Sequence, residues 1–206
     1  MKMKFAGILV CFFGLTLNAS AQLDSDILGV WDVDKDQIFV DSTEELDLLA
    51  SRYWEIFYDL FPNEQIDRYI VSMRLITDGR DGDLGGLNQL DRSLKRWQLD
   101  IDTADMNLGV MDSAYVYDYL FTLVHEYGHL ISLNIKQMEP TKDMVQDDDK
   151  GYLTSEGYAR EGGYLDLFVK EFWNGRLMDD WRRIDGIMEE DVWLDSIYAF
   201  YEKYPD

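Results

Sequence analysis

The period of the apolar and polar positions changes several times along the chain, and each change marks an element. Residues 22–42 are acidic with no helical period, which predicts an extended N-terminal strap. Within it, Asp32-Val33-Asp34-Lys35-Asp36 starts like a calcium loop. Gln37 stands where that loop needs glycine and Thr43 where it needs a bidentate glutamate, so the run reads as a solvated turn. Ser42 with Glu45 three residues later predicts a helix start. Leu46, Leu49, Tyr53, Ile56, Phe57 and Leu60 then follow at helical spacing until Pro62 and Asn63. Residues 69–76 (Tyr-Ile-Val-Ser-Met-Arg-Leu-Ile) predict a strand, and the glycine-rich run 78–86 a hairpin turn. Arg96-Trp97-Gln98-Leu99-Asp100-Ile101-Asp102 alternates, which predicts a half-buried strand with Trp97, Leu99 and Ile101 inward.

After a loop, a long helix is predicted from near Ser113. It is apolar nearly all round, so it is expected to be buried. Pro140 and the charged run Gln146–Gly151 predict a loop over 138–151, and from residue 152 the pattern is mostly helical and aromatic. Strands first and helices after, with no internal repeat or low-complexity linker, predict one α+β domain over residues 22–206.

The predicted long helix carries His125-Glu126-Tyr127-Gly128-His129, an HExxH motif that uses both histidines of the chain. Residues four apart share a helix face, so the two imidazoles converge on one point and can hold a zinc ion between them. Glu126 is rotated away by one residue. It is placed to take a proton from water at the metal, whose pKa zinc lowers toward about 7, and to pass it to a leaving amine. Gly128 costs about 1 kcal/mol in a helix interior, which predicts close packing there.

Lys2 and Lys4, the apolar run Phe5–Leu17 and Ala19-Ser20-Ala21 predict a cleavable leader over residues 1–21, and hence export to the periplasm, the cell surface or the medium of a bacterium. Cys11 lies inside it, after Val10, where a lipoprotein signal needs a small residue. Cleavage therefore removes the only thiol, which excludes disulfides and thiolate metal sites. The net charge is −22 and becomes more negative without the two lysines. It argues against nucleic acid and anionic membrane surfaces as partners, and no other apolar run predicts a membrane span.

A catalytic zinc takes three protein ligands and keeps an open position. A third histidine six residues past His129 is excluded, because that position is Ile135. The remaining ligand is expected to be a carboxylate from a downstream helix, as in the glutamate-type zincins such as thermolysin. Leu123–Asn134 resembles the active helix of exported bacterial zinc-binding metallopeptidases. Tyr152–Ala159, Tyr164–Phe168 and Phe172-Trp173 resemble the segment that follows it there, and the likeness spans residue 66 to the end. The resemblance implies a zincin-like domain, Zn2+ held by His125 and His129, Glu126 as general base and a peptide or protein substrate. It also implies a third ligand within a Glu-Asp-x-Ala-Glu stretch further on. Glu190-Asp191 echoes that stretch, but Leu194 stands at the second glutamate. The chain ends at Tyr204-Pro205-Asp206 in a loop-like sequence, so it is expected either to continue or to use Glu156, Glu161, Glu189 or Glu190. Trp97–Asp102 is expected at the upper edge of the cleft, where a peptide adds as a strand. The reading that follows is a secreted zinc metallopeptidase. Its rival is a zinc-binding or partner-binding protein that keeps the scaffold without catalysis.

Overall fold

The computed structural model describes residues 26–78, 84–104, 106, 108, 113–143, 145–147, 149–173 and 175–204. The predicted leader lies outside them. Among the described residues no helix is long and apolar enough to cross a membrane.

The predicted strap is a hairpin, strands β1 (Asp26–Asp34) and β2 (Gln37–Ile38). Lys35, with φ 57°, makes the tight turn, and its carbonyl accepts the Trp54 indole N–H at 3.1 Å. Helix α1 (Glu45–Leu60) follows. Ser42 acts just outside its start, accepting from the Glu44 N–H and donating to Asp47, which also accepts the Trp31 indole N–H at 2.7 Å. Pro62 ends α1 as predicted. Asn63, however, opens a second short helix, α2 (Asn63–Tyr69), that the pattern did not announce. Seven residues are too few to show a helical period. Strand β3 (Ile70–Thr77) follows, then β4 (Gly85–Gln89) and β5 (Trp97–Asp102).

These strands form one mixed five-stranded sheet in the order β2-β1-β3-β5-β4. Only β3 and β5 run parallel; the other neighbours are antiparallel. Trp31, Met73, Leu99 and Leu87 stand side by side across four strands and face the core. Their outer neighbours are polar and paired across strands: Gln98 donates to Ser72 at 3.0 Å, and Asp100 accepts from Arg74 and Asn88. Gly29 leaves the space that the Trp31 ring occupies; a Cβ there would run into the indole. The motif helix α3 (Ser113–Leu133) and α1 lie on the same apolar face. Tyr53, Trp54 and Phe57 of α1 and Leu123 and Leu130 of α3 are essentially fully buried there. Burying a side chain of this size contributes about 1.5–3 kcal/mol, which makes sheet and helices a firm base for the motif.

Two expectations about strands are corrected. Trp97–Asp102 is not half-buried: all six residues are buried, because β5 is flanked by β3 and β4. Its polar members are satisfied in place, Asp102 accepting the N–H groups of Asp78 and Ala104 at 2.8 and 2.7 Å. The edge strand is therefore β4, which begins inside the predicted glycine turn; residues 79–83 of that turn lie outside the described ones.

The C-terminal half is mostly helical as expected, with one addition. Strand β6 (Met138–Pro140), where a loop was predicted, pairs with β7 (Gly157–Ala159), which lies in the stretch read as mostly helical. Helices α4 (Tyr164–Phe172), α5 (Arg176–Asp185) and α6 (Glu190–Lys203) follow. Trp173, Met178, Trp181, Ile184 and Phe200 make a second core, and Tyr152 and Leu165 pack against both cores.

Candidate metal centre

Helix α3 is held at several points along its length. Thr122 approaches β4 at Gly85, where a Cβ would lie 2.9 Å from the Asp100 carbonyl and 3.4 Å from the threonine methyl. The tight contact is with the β5 carbonyl, and the threonine methyl stands at ordinary contact distance. Tyr127 stacks on Phe61 with centroids 4.3 Å apart and planes 4° from parallel, and its hydroxyl donates to the Pro62 carbonyl at 3.2 Å. At the C-terminal end, the Asn134 amide caps the Leu130 carbonyl at 2.7 Å, and the Ile135 N–H reaches Leu94 at 3.2 Å. Arg160 binds the carbonyls of Ile135 and Met138 at 3.1 and 2.8 Å, which ties the end of α3 to the helical half. The Gly128 carbonyl accepts the Ser132 Oγ–H at 2.6 Å.

Held this way, His125 and His129 meet. Their Nε2 atoms are 3.0 Å apart, with rings nearly perpendicular at 86° and centroids 4.6 Å apart. Glu126 Oε1 lies 4.0 Å from His125 Nε2. His125 and Glu126 are buried, and His129 is partly buried. Burial pushes the imidazole of His125 below its usual pKa. Burial, together with the neighbouring His125, pushes His129 down to about 4. Both rings are thus neutral near pH 7. Two neutral imidazole nitrogens at this distance either share one hydrogen or turn both lone pairs onto a common cation.

The donor set fits zinc. Zinc–nitrogen bonds of about 2.0–2.1 Å at a tetrahedral angle put two nitrogens about 3.3 Å apart, a few tenths of an ångström from the separation here. Ligand atoms of His125, Glu126 and His129 lie within 4.8 Å of one another, and among the described residues no other histidine, aspartate or glutamate joins that group.

The structure does not bring Glu156, Glu161 or Glu189 to the site. Glu156 is half-buried and accepts from Ser155 Oγ at 2.8 Å, and Glu161 and Glu189 are exposed. The Glu190 side chain lies outside the described ones. Among the buried acids that escaped the sequence reading is Asp166, in the first turn of α4. It accepts the Gly162 N–H at 2.8 Å and binds Lys170 at 2.9 Å, which makes it a brace for that helix start.

The sequence reading also missed the free edge beside the motif. Leu90 N–H binds Arg96 carbonyl and Asp102 N–H binds Leu84 carbonyl. Antiparallel pairs alternate, so Leu84, Gly86, Asn88 and Leu90 bond to β5 while Gly85, Leu87 and Gln89 turn their backbone groups outward. No described strand pairs with that edge. The adjacent Gly85 and Gly86 look like a turn in sequence, and Gly86-Leu87-Asn88-Gln89 carries no apolar–polar alternation to announce a strand.

No family model, curated protein or solved structure matches the chain. Its functional reading therefore stands on this geometry and on the motif.

Proposed function

We propose that the chain is an exported zinc-dependent peptidase of the zincin class, acting on peptide bonds. The observation that carries the proposal is the convergence of His125 and His129 Nε2 at 3.0 Å on a pinned helix, with the Glu126 carboxylate 4.0 Å away. His125 and His129 would hold the ion. Bound zinc supplies a Lewis acid that polarises a carbonyl and lowers the pKa of water.

The rest is the work of the chain. Glu126 accepts a proton from the attacking water at a carboxylate oxygen and delivers it to the leaving nitrogen, a role its acceptor geometry and burial suit. Gly85, Leu87 and Gln89 offer outward backbone donors and acceptors to an extended peptide, which would pair with β4 and pass over the histidines. The edge of β4 takes the place first expected of Trp97–Asp102.

One observation favours a second reading. The close grouping contains no third carboxylate other than Glu126 among the described residues. A protein that holds zinc, or a partner, on this scaffold without hydrolysis accounts for that. The replacement Glu126→Gln separates the two. If the enzyme reading holds, Glu126→Gln keeps zinc, measured by elemental mass spectrometry, and loses peptide hydrolysis by about 10²–10⁴-fold. Zinc in both proteins with hydrolysis in neither supports the binding protein.

A further inference from the structure

The motif helix was expected to be buried all round, and it is not. Tyr117, Leu120, Phe121 and Val124 are 69%, 38%, 37% and 47% exposed. Spaced by three, one and three residues, they form a single apolar stripe. Phe121 stands one turn before His125, and Tyr117 one turn before Phe121, about 12 Å from His125 along the axis. Thr122 and β4 flank the histidines on the other side. The histidine pair thus sits between a free strand edge and an uncovered apolar track.

Charge selects what covers that track. Within Ser113–Leu133 the charged residues are Asp118 and Glu126, with no lysine or arginine, and the whole chain carries −22. A second copy would bring the same charge against itself, and anionic lipids or nucleic acids would be repelled. A peptide in which lysines or arginines accompany large apolar side chains satisfies both the stripe and the field.

We propose that the stripe is a docking surface for cationic amphipathic peptides, which it presents to the histidine pair as substrates. The proposal rests on the peptidase reading for the word substrate, and on the stripe and the charge for binding itself. Leu120, Phe121 and Val124 fill the apolar side of the bound peptide, and the net negative charge of the chain draws in its basic side.

The test uses the full chain with Glu126→Gln, loaded with zinc, so that binding is read without turnover. The probe is a fluorescein-labelled 18-residue amphipathic peptide of lysine and leucine, followed by anisotropy. The expected result is saturable binding that weakens at least tenfold with Leu120→Gln, Phe121→Gln and Val124→Gln together. Binding weakens at least tenfold when glutamates replace the peptide's lysines, and falls with added salt. Ile27→Gln, at an exposed apolar site on β1, leaves binding unchanged. Thermal unfolding by circular dichroism checks that the triple variant folds; if it does not, Phe121→Gln alone carries the test with a threefold loss. Equal binding by the stripe variants or by the glutamate peptide overturns the proposal. So does a dimer of the parent in light scattering that the stripe substitutions abolish. Hydrolysis of a neutral peptide library by the parent is scored separately. Cleavage without stripe-dependent binding overturns the docking surface alone, and stripe-dependent binding without any cleavage overturns the peptidase reading alone.

Discussion

Glu126 sits next to His125 in sequence yet points to a different side of the helix, and that offset of one residue separates holding from reacting. His125 and His129 present neutral nitrogens toward each other, while the Glu126 carboxylate stands 4.0 Å off. The proposal makes the length of this side chain matter. Glu126→Asp draws the carboxylate back by one methylene. It should leave zinc content at the parent value and lower kcat/KM at least tenfold, a loss of about 1.4 kcal/mol of transition-state stabilisation or more. A proportional loss of zinc and activity would assign Glu126 to holding the ion instead.

At the scale of elements, β4 is held between its partner strand β5 and helix α3. Gly85 is the tightest point, where the atom a side chain would strike first is a backbone carbonyl of β5 that cannot swing aside. Gly85→Val should therefore lower stability by about 1–3 kcal/mol, read as a reduced midpoint in urea unfolding with an unchanged slope. A variant as stable as the parent would mean that β4 shifts freely over the helix, and the strand edge would not be a fixed docking rail. Much of this layout was legible in the sequence. The period of 3.6 in Leu46–Leu60, the long apolar run of the motif helix and the β-rich runs at 69–76 and 96–102 each reported an element that exists. The failures have physical causes. β5 was taken for an edge strand because Gln98, Asp100 and Asp102 look solvent-facing, whereas each finds a partner on the neighbouring chain segments. β4 was missed because the Asp100 carbonyl of β5 leaves no room for a side chain at position 85, and the glycine that fits there is also the mark of a turn. The histidine pair was legible for a simple reason: residues four apart on a helix need no tertiary information to meet. A ligand brought from elsewhere does need it, and none of Glu156, Glu161 and Glu189 is delivered to the pair.

Across the whole molecule, a sheet-backed half carries the motif and a helical half has its own aromatic core. The latter is closed by Asp180 on α5, which binds Lys203 and Tyr204 at the end of α6 and Arg183 on its own helix. The Lys203 hydrogen bond, followed by those of Tyr204 and Arg183, holds the Asp180 carboxyl well below the usual carboxylate range. A depressed pKa in the folded state means that the unfolded chain takes up the proton first. The stability from Asp180 is therefore present above the unfolded value of about 3.9 and is lost as pH falls toward the folded one. The difference in stability between the parent and Asp180→Asn, followed by the fluorescence of the buried Trp173 and Trp181, should be constant from pH 7 to about 5 and shrink below about 4. A difference that grows on acidification would contradict the clasp.

Zinc uptake by equilibrium dialysis of metal-free protein tests the central claim most directly. The account predicts one zinc per chain in the parent, retained with Glu126→Gln and abolished when His125→Ala and His129→Ala are combined in a chain that still folds. No uptake by the parent, or uptake that survives the loss of both imidazoles, would contradict it.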